Sequence, residues 1–197
     1  NLGYFSFQFA KFLRYFIPVY PALAVLAAYF LVTGLPGLGS RWGRPARSAA
    51  LALTPIVVIL TVLYAISFLA IYSRPNTRIQ ASNWIYDNVP VNSTLGVEHW
   101  DDSLPLRLPG REYKYAEVTM TLYDDESPEL VRKFTDTIDK ADYLILASNR
   151  LYGSIPRLPA RYPVAIEYYR ALFDGRLGFD LVGRFDSNPE LFGITID

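Results

Sequence analysis

Two long apolar stretches without a charged residue stand in the first third of the chain. The first runs from Phe16 to Val32 and the second from Ala49 to Tyr72. A helix that crosses a bilayer core of about 30 Å needs about 20 apolar residues, so both stretches are predicted to be transmembrane helices. The pattern predicts a membrane part over 1–73, with spans at about 16–32 and 49–72, followed by a polar domain over 74–197.

The sequence pattern of the polar domain predicts helices that alternate with strands. Ser127 followed by Pro128 and an acidic residue is typical of a helix start, and Asp142–Ser148 is the best candidate for a buried strand. Such alternation predicts an α/β layer fold with a mainly parallel sheet. The predicted elements are helices from a Thr77 cap to Pro90, 128–140 and 163–173, and strands at 94–99, 115–123, 142–148, 179–185 and 192–196.

The charges of the two parts differ in sign, and this predicts an orientation. All 19 acidic residues follow Tyr86, whereas the segment between the spans, Thr33–Ser48, carries Arg41, Arg44 and Arg47 among glycines and prolines expected to break helices. Short basic loops stay in the cytoplasm, and these three arginines outweigh two basic residues before the first span. We therefore expect the α/β domain to be extracytoplasmic and the chain to be an integral protein of a prokaryotic cell membrane.

Composition narrows the function classes. From Arg74 onward the chain has 14 basic and 19 acidic residues, and this net −5 argues against nucleic acid as a partner. The absence of cysteine excludes disulfides and thiolate metal sites. Composition identifies no cofactor and leaves any metal requirement unknown.

One candidate site is the polar cluster at the carboxyl end of the first predicted strand. Glu98, His99, Asp101 and Asp102 could supply ligands to a divalent ion, or one carboxylate could act as a general base, at the strand end where open α/β sheets bind ligands. The alternative is a solvated loop whose acids cap backbone amides.

A second candidate follows the predicted strand at 142–148. Asn149 and Arg150 lie there, and Arg157 and Arg161 follow, so that three guanidinium groups could bind a phosphate or carboxylate. The alternative is a surface loop that pairs with the acidic excess of this domain.

Lys11 and Arg14 precede the first span at a helical spacing of three, which would suit a lipid phosphate; ordinary snorkelling of basic side chains is the alternative.

The stretch from Lys11 to Pro21, KFLRYFIPVYP, resembles a late transmembrane helix of the GT-C membrane glycosyltransferases, the group of dolichyl-phosphate-mannose protein mannosyltransferases and phospholipid-carrier-dependent glycosyltransferases. Further segments are similar to the outer C-terminal domain of bacterial members. These are RIQASNWI from Arg78, NRLYGSIPRLP from Asn149, RYP from Arg161, and the later Tyr168-Tyr169 and Leu177-Gly178-Phe179.

The resemblance implies the C-terminal fragment of a many-span enzyme that moves a sugar from a polyprenyl-phosphate donor to an acceptor on the outer face. In that family the catalytic acid lies in the first outer loop, so no catalytic residue is expected here, where no acid precedes Asp87. Lys11 and Arg14 would contact the donor phosphate, and the outer domain would be accessory. The acceptor, whether protein, lipid or glycan, is not implied.

Two other classes remain open. A two-span anchor that displays an α/β domain would be a binding, sensor or assembly module without catalysis. A hydrolase on the outer face would use Glu98, His99, Asp101 and Asp102.

Overall fold

The structure is a computed structural model that describes residues 17–41 and 43–196. It divides into two compact units, one formed by residues 17–70 together with 189–196 and the other by residues 71–188. Residues 189–196 were expected in the polar domain, whereas in the structure they group with the apolar helices.

The first unit contains two long apolar helices. One runs from Ile17 to Arg41 and comprises α1 (Tyr20–Tyr29), a π-helical segment (Phe30–Gly34) and α2 (Leu35–Arg41). The other begins with α3 (Arg44–Leu69) and ends in a 3-10 turn (Ala70–Ser73). Both are long and apolar enough to cross a membrane, as predicted from the sequence.

The predicted loop at Thr33–Ser48 is wrong, because helix continues to Arg41 and resumes at Arg44. Pro36 has no N–H, and the π-helical turn directs the Leu35 N–H to the Phe30 carbonyl, so the Leu31 carbonyl lacks its usual helical donors. The hydroxyl of Thr54 on α3 donates to that carbonyl at 2.9 Å. A neighbouring helix thus replaces the missing bond, as is common in membrane proteins.

Gly39 allows α2 and α3 to pack closely. A Cβ at this position would lie 3.0 Å from the Ala46 carbonyl oxygen and 3.1 Å from the Arg47 Cα. Small residues permit such approach between apolar helices. At least this glycine, predicted as a helix breaker, has a packing role.

Two short strands, β4 (Glu190–Leu191) and β5 (Ile194–Thr195), form an antiparallel hairpin that packs against α3; we number them after the three strands described next. Phe192 (φ 51°) and Gly193 (φ 81°) make its two-residue turn, a conformation that suits hairpins. The strand predicted at 192–196 is therefore shorter. The strand predicted at 179–185 is wrong, because Leu181 and Val182 are exposed without a strand partner and Phe185 instead packs on Trp84.

The second unit alternates helices and strands, as predicted. Asn76, rather than Thr77, caps its first helix by accepting from the Arg78 N–H at 2.9 Å, and Ser127 caps the helix that begins at Pro128, as expected. Its elements are α4 (Thr77–Asn88), β1 (Thr94–Glu98), β2 (Ala116–Met120), α5 (Pro128–Lys140), β3 (Tyr143–Ile145), α6 (Arg150–Ser154), a 3-10 turn (Ile155–Arg157) and α7 (Pro163–Phe173).

The three strands form a parallel sheet in the order β2-β1-β3, which confirms the predicted parallel sheet. Leu95 on the central strand pairs with Glu117 on one side and Tyr143 on the other. The strand predicted to be the most buried, at 142–148, is instead a half-buried three-residue edge strand. The central position belongs to β1, which is buried over its last four residues.

Each face of the sheet has its own core. Leu95 and Val97 pack with Ala81 and Ile85 of α4 on one face. The other face carries the larger core, in which Met120 packs with side chains of α5, α6 and α7. Since side chains alternate along a strand, Gly96 and Glu98 point toward this second face. A Cβ at Gly96 would lie 2.6 Å from the Leu144 Cδ2 and 3.2 Å from the Ala141 Cβ, so a larger residue would require the Leu144 side chain to move.

Candidate functional site

The described residues with the most unusual electrostatics lie at the carboxyl edge of the parallel sheet. Glu98 is the last residue of β1 and is 7% exposed. Its Oε1 accepts a hydrogen bond from the Tyr169 hydroxyl on α7 at 2.5 Å. Burial raises the pKa of Glu98 to about 7; the hydrogen bond from Tyr169 opposes this change and the charge of Asp101 adds to it. The carboxyl group can therefore exchange a proton near neutral pH.

Asp101 joins the ends of β1 and β3. Its Oδ2 accepts a hydrogen bond from the Ser148 hydroxyl, and its Oδ1 lies 3.1 Å from the Arg150 Nη1. Ser148 in turn accepts from the Arg150 backbone N–H at 3.2 Å. Asp101 is only 19% exposed, whereas Arg150 is 53% exposed, so the guanidinium group is held at one end and faces solvent at the other.

Three aromatic rings, those of His99, Trp100 and Tyr123, form a cluster, and Asp101 directly follows Trp100 in the chain. The His99 Nδ1 lies 3.0 Å from the Met120 carbonyl oxygen, which also accepts from the His99 backbone N–H. The Trp100 ring meets the His99 ring at 5.7 Å and the Tyr123 ring at 5.2 Å, both edge to face. Trp100 is nonetheless 52% exposed.

The structure thus brings together Glu98, His99, Asp101 and Arg150 of the predicted site residues. The contact that the structure shows for Asp102 lies outside this group, since its backbone carbonyl accepts from the Arg78 guanidinium group. Asn149 is exposed and makes no capping bond with its side chain. Lys11 and Arg14 lie outside the described residues.

The structure bears on two hypotheses for these loops, a site for a divalent ion and a site for an anion. Within residues 17–41 and 43–196, no three histidine or acidic side chains are grouped so that they could hold a metal ion. For the proposed anion site, Arg150 is paired with Asp101, and Arg161 lies 3.4 Å from Asp125. Ion pairing therefore accounts for two of the three arginines.

Two residues of this edge, Tyr123 and Tyr169, were not among the residues predicted from the sequence to form a site, whereas Ser148 opens the second candidate segment. Tyr169 lies on a helix 71 positions after Glu98, and no local pattern signals such a contact. Ser148 directly precedes the predicted Asn149–Arg150 pair, and its position just after a strand was the signal available.

No protein-family model matches the chain, and neither a curated protein nor a solved structure is significantly similar to it. The site must therefore be interpreted from its own chemistry. It offers a protonatable buried carboxyl group, a solvent-facing guanidinium group and an exposed indole ring. Such a combination can bind a polar ligand by hydrogen bonds and ring contact.

Proposed function

We propose that this chain is part of an integral membrane glycosyltransferase that moves a sugar from a polyprenyl-phosphate donor to an acceptor, with the α/β unit in an accessory role. The observation that carries the membrane part is the exposure of the two apolar helices: Ala50 and Ser67 are the buried residues among 17–41 and 43–69. A leucine or isoleucine side chain left in water forgoes about 1.5–3 kcal/mol of burial energy. Lipid or further helices would supply that burial.

The orientation is part of the proposal. Arg41, Arg44 and Arg47 flank the short connection between the two helices, and no acidic residue precedes Asp87. Basic residues near short connections favour the cytoplasmic side. The α/β unit would then lie on the outer face of a prokaryotic cell membrane, where polyprenyl-phosphate sugars are used.

The transferase assignment rests on the resemblance of the Lys11–Pro21 segment and the outer-domain segments to GT-C enzymes. Lys11 and Arg14 would contact the donor phosphate. A cationic partner is worth more beside low-dielectric lipid than in water, which would make these contacts strong. The catalytic acid would come from the longer protein, which leaves the α/β unit as a lid, an acceptor platform or a structural cap.

The test uses the full-length protein with a polyprenyl-phosphate-linked sugar. Arg14→Ala should weaken donor use by about 2–5 kcal/mol, the usual cost of losing one partner of a partly desolvated pair. Arg14→Lys should recover only part, because lysine lacks the bidentate fork. Arg41→Ala is the matched control and should leave donor affinity unchanged. Equal donor affinity in wild type and Arg14→Ala, at equal expression and membrane insertion, would contradict the proposed role.

One observation favours a second candidate, a membrane-anchored binding module without catalysis. The carboxyl-edge group of Glu98, Asp101 and Arg150, together with Tyr169, consists of residues of the α/β unit. The upstream reading frame separates the two candidates: further apolar spans favour the transferase, whereas a start codon close to Asn1 favours the anchored module.

A further inference from the structure

The carboxyl edge carries a closed series of contacts around an exposed indole ring. Trp100 packs on Tyr123, whose hydroxyl shares a hydrogen bond with the Ser154 hydroxyl. The Ser154 hydroxyl also donates to the Arg150 carbonyl at 2.6 Å, one turn back along α6. Arg150 is paired with Asp101, the neighbour of Trp100 in the chain. We call these five residues the edge surface.

The edge surface restrains Trp100 without burying it. His99 and Tyr123 contact the indole ring from two directions, and the His99 ring is itself positioned next to the Met120 carbonyl oxygen. About half of Trp100 still faces solvent. A large ring held this way loses little conformational entropy when it binds a ligand.

The side chains that contact the ring carry polar atoms. The rings of His99 and Tyr123 lie against Trp100, and the ion pair of Asp101 and Arg150 completes the same series of contacts. The centre of a protein–protein interface is usually apolar and excludes water around its aromatic anchors. An exposed ring held by polar-tipped aromatic side chains, with a carboxylate and a guanidinium group in the same series of contacts, instead matches a ligand with one apolar face and a hydroxylated rim.

We propose that the edge surface binds a carbohydrate, with the Trp100 ring against the C–H face of a sugar and Asp101 and Arg150 bonded to its hydroxyl groups. Aspartate accepts hydrogen bonds and arginine donates them, so the pair suits adjacent hydroxyls that can do both. The inference rests on the proposed function for its biological meaning, since it names a glycan as the acceptor class that the α/β unit would hold.

The test measures binding of neutral trisaccharides of mannose, glucose or N-acetylglucosamine to the full chain in lipid nanodiscs, by saturation-transfer NMR and calorimetry without any donor. At least one should bind at millimolar concentration or better. Trp100→Ala should weaken it by about tenfold or more, and Trp100→Phe by less, because a smaller ring remains. Arg150→Gln should weaken it by about threefold to tenfold.

Two control variants match these changes. Arg176→Gln removes an arginine of the same exposure, 53%, that is paired with Glu167 at 2.8 Å, and Phe192→Ala removes a more exposed ring. Neither should change sugar binding. Thermal unfolding of every variant confirms that the α/β unit remains folded.

Three results would overturn the inference: no trisaccharide bound at about 10 mM, equal binding by wild type and a folded Trp100→Ala, or a purified protein partner that loses affinity on Trp100→Ala while no sugar binds. Failure of the proposed function looks different. In that case sugar binding would depend on Trp100 while the full-length protein transferred no sugar from a polyprenyl-phosphate donor.

Discussion

The two units of this chain differ in how far their apolar side chains are buried. In the apolar helices nearly every large hydrophobic residue is exposed, and the described part of α1 to α3 buries only Ala50 and Ser67. The α/β unit instead buries two cores, one on each face of its sheet. A unit that buries its own apolar surface can be stable in water, whereas the helical pair depends on what surrounds it.

The largest difference in stability is expected when one leucine in each unit is replaced by alanine. Leu95 is fully buried in the central strand, and Leu60 on α3 is 60% exposed. Leu95→Ala should lower the free energy of unfolding of the α/β unit by about 2–5 kcal/mol, because it leaves a cavity. Leu60→Ala is the control and should leave that value unchanged. Hydrogen exchange of the full chain in nanodiscs measures both, and a similar effect of the two variants would remove the contrast.

Glu98 gives the α/β unit a pH dependence. Its pKa is raised from 4.5 to about 7 in the folded protein, so the folded state holds this proton more tightly than the unfolded chain does. The stability contributed by this group is fully present below about pH 4.5 and is lost as pH rises through 7, with a total of about 3 kcal/mol.

Glu98→Gln removes that titration and keeps an oxygen that accepts from Tyr169. The variant should therefore be more stable than wild type at pH 8 and lose this advantage at pH 4.5. Denaturant unfolding at both pH values measures the difference. A difference that does not change with pH would show that Glu98 is not the titrating group.

The smallest effect is expected within the helical pair. Thr54→Val removes the hydrogen bond to the Leu31 carbonyl and should weaken the association of the two helices by about 1 kcal/mol. Thr61 is the matched control, since its hydroxyl bonds to Val57 in its own helix. Energy transfer between labelled helices during unfolding by SDS measures the change. Equal midpoints for Thr54→Val and Thr61→Val would mean that the interhelical bond contributes nothing.

The sequence predicted local elements well and distant contacts poorly. Helices 128–140 and 163–173 were correct because Pro128 and Pro163 stand at their first positions and mark where each helix begins. The helical segment around Pro36 was missed because a hydroxyl from another helix compensates for proline, and no local rule contains that information. No local rule predicts the role of Glu126 either. Its carboxylate comes from a distant part of the chain and accepts from the Val164 and Ala165 N–H groups at the start of α7.

For the candidate site, too, local features could be predicted from the sequence and distant contacts could not. Glu98 at the end of a strand, and Asp101 and Arg150 just after strands, could be selected from the sequence because parallel strands end at one edge. Which of these side chains would contact one another depends on the order of the strands in the sheet. In the observed order, β1 lies between β2 and β3. The side chain of Asp102, selected by the same rule, was not brought into the group by any contact that the structure shows.

We propose that the two apolar helices cross a membrane and that the α/β unit lies on the outer face. The chain has no cysteine, so a single introduced thiol can be labelled without background. Ser40 is exposed near the end of α2, and Glu112 in the α/β unit is 77% exposed. With a membrane-impermeant thiol reagent on intact cells, Glu112→Cys should be labelled, and Ser40→Cys only after the membrane is opened. Labelling of Ser40→Cys but not of Glu112→Cys in intact cells would contradict the account.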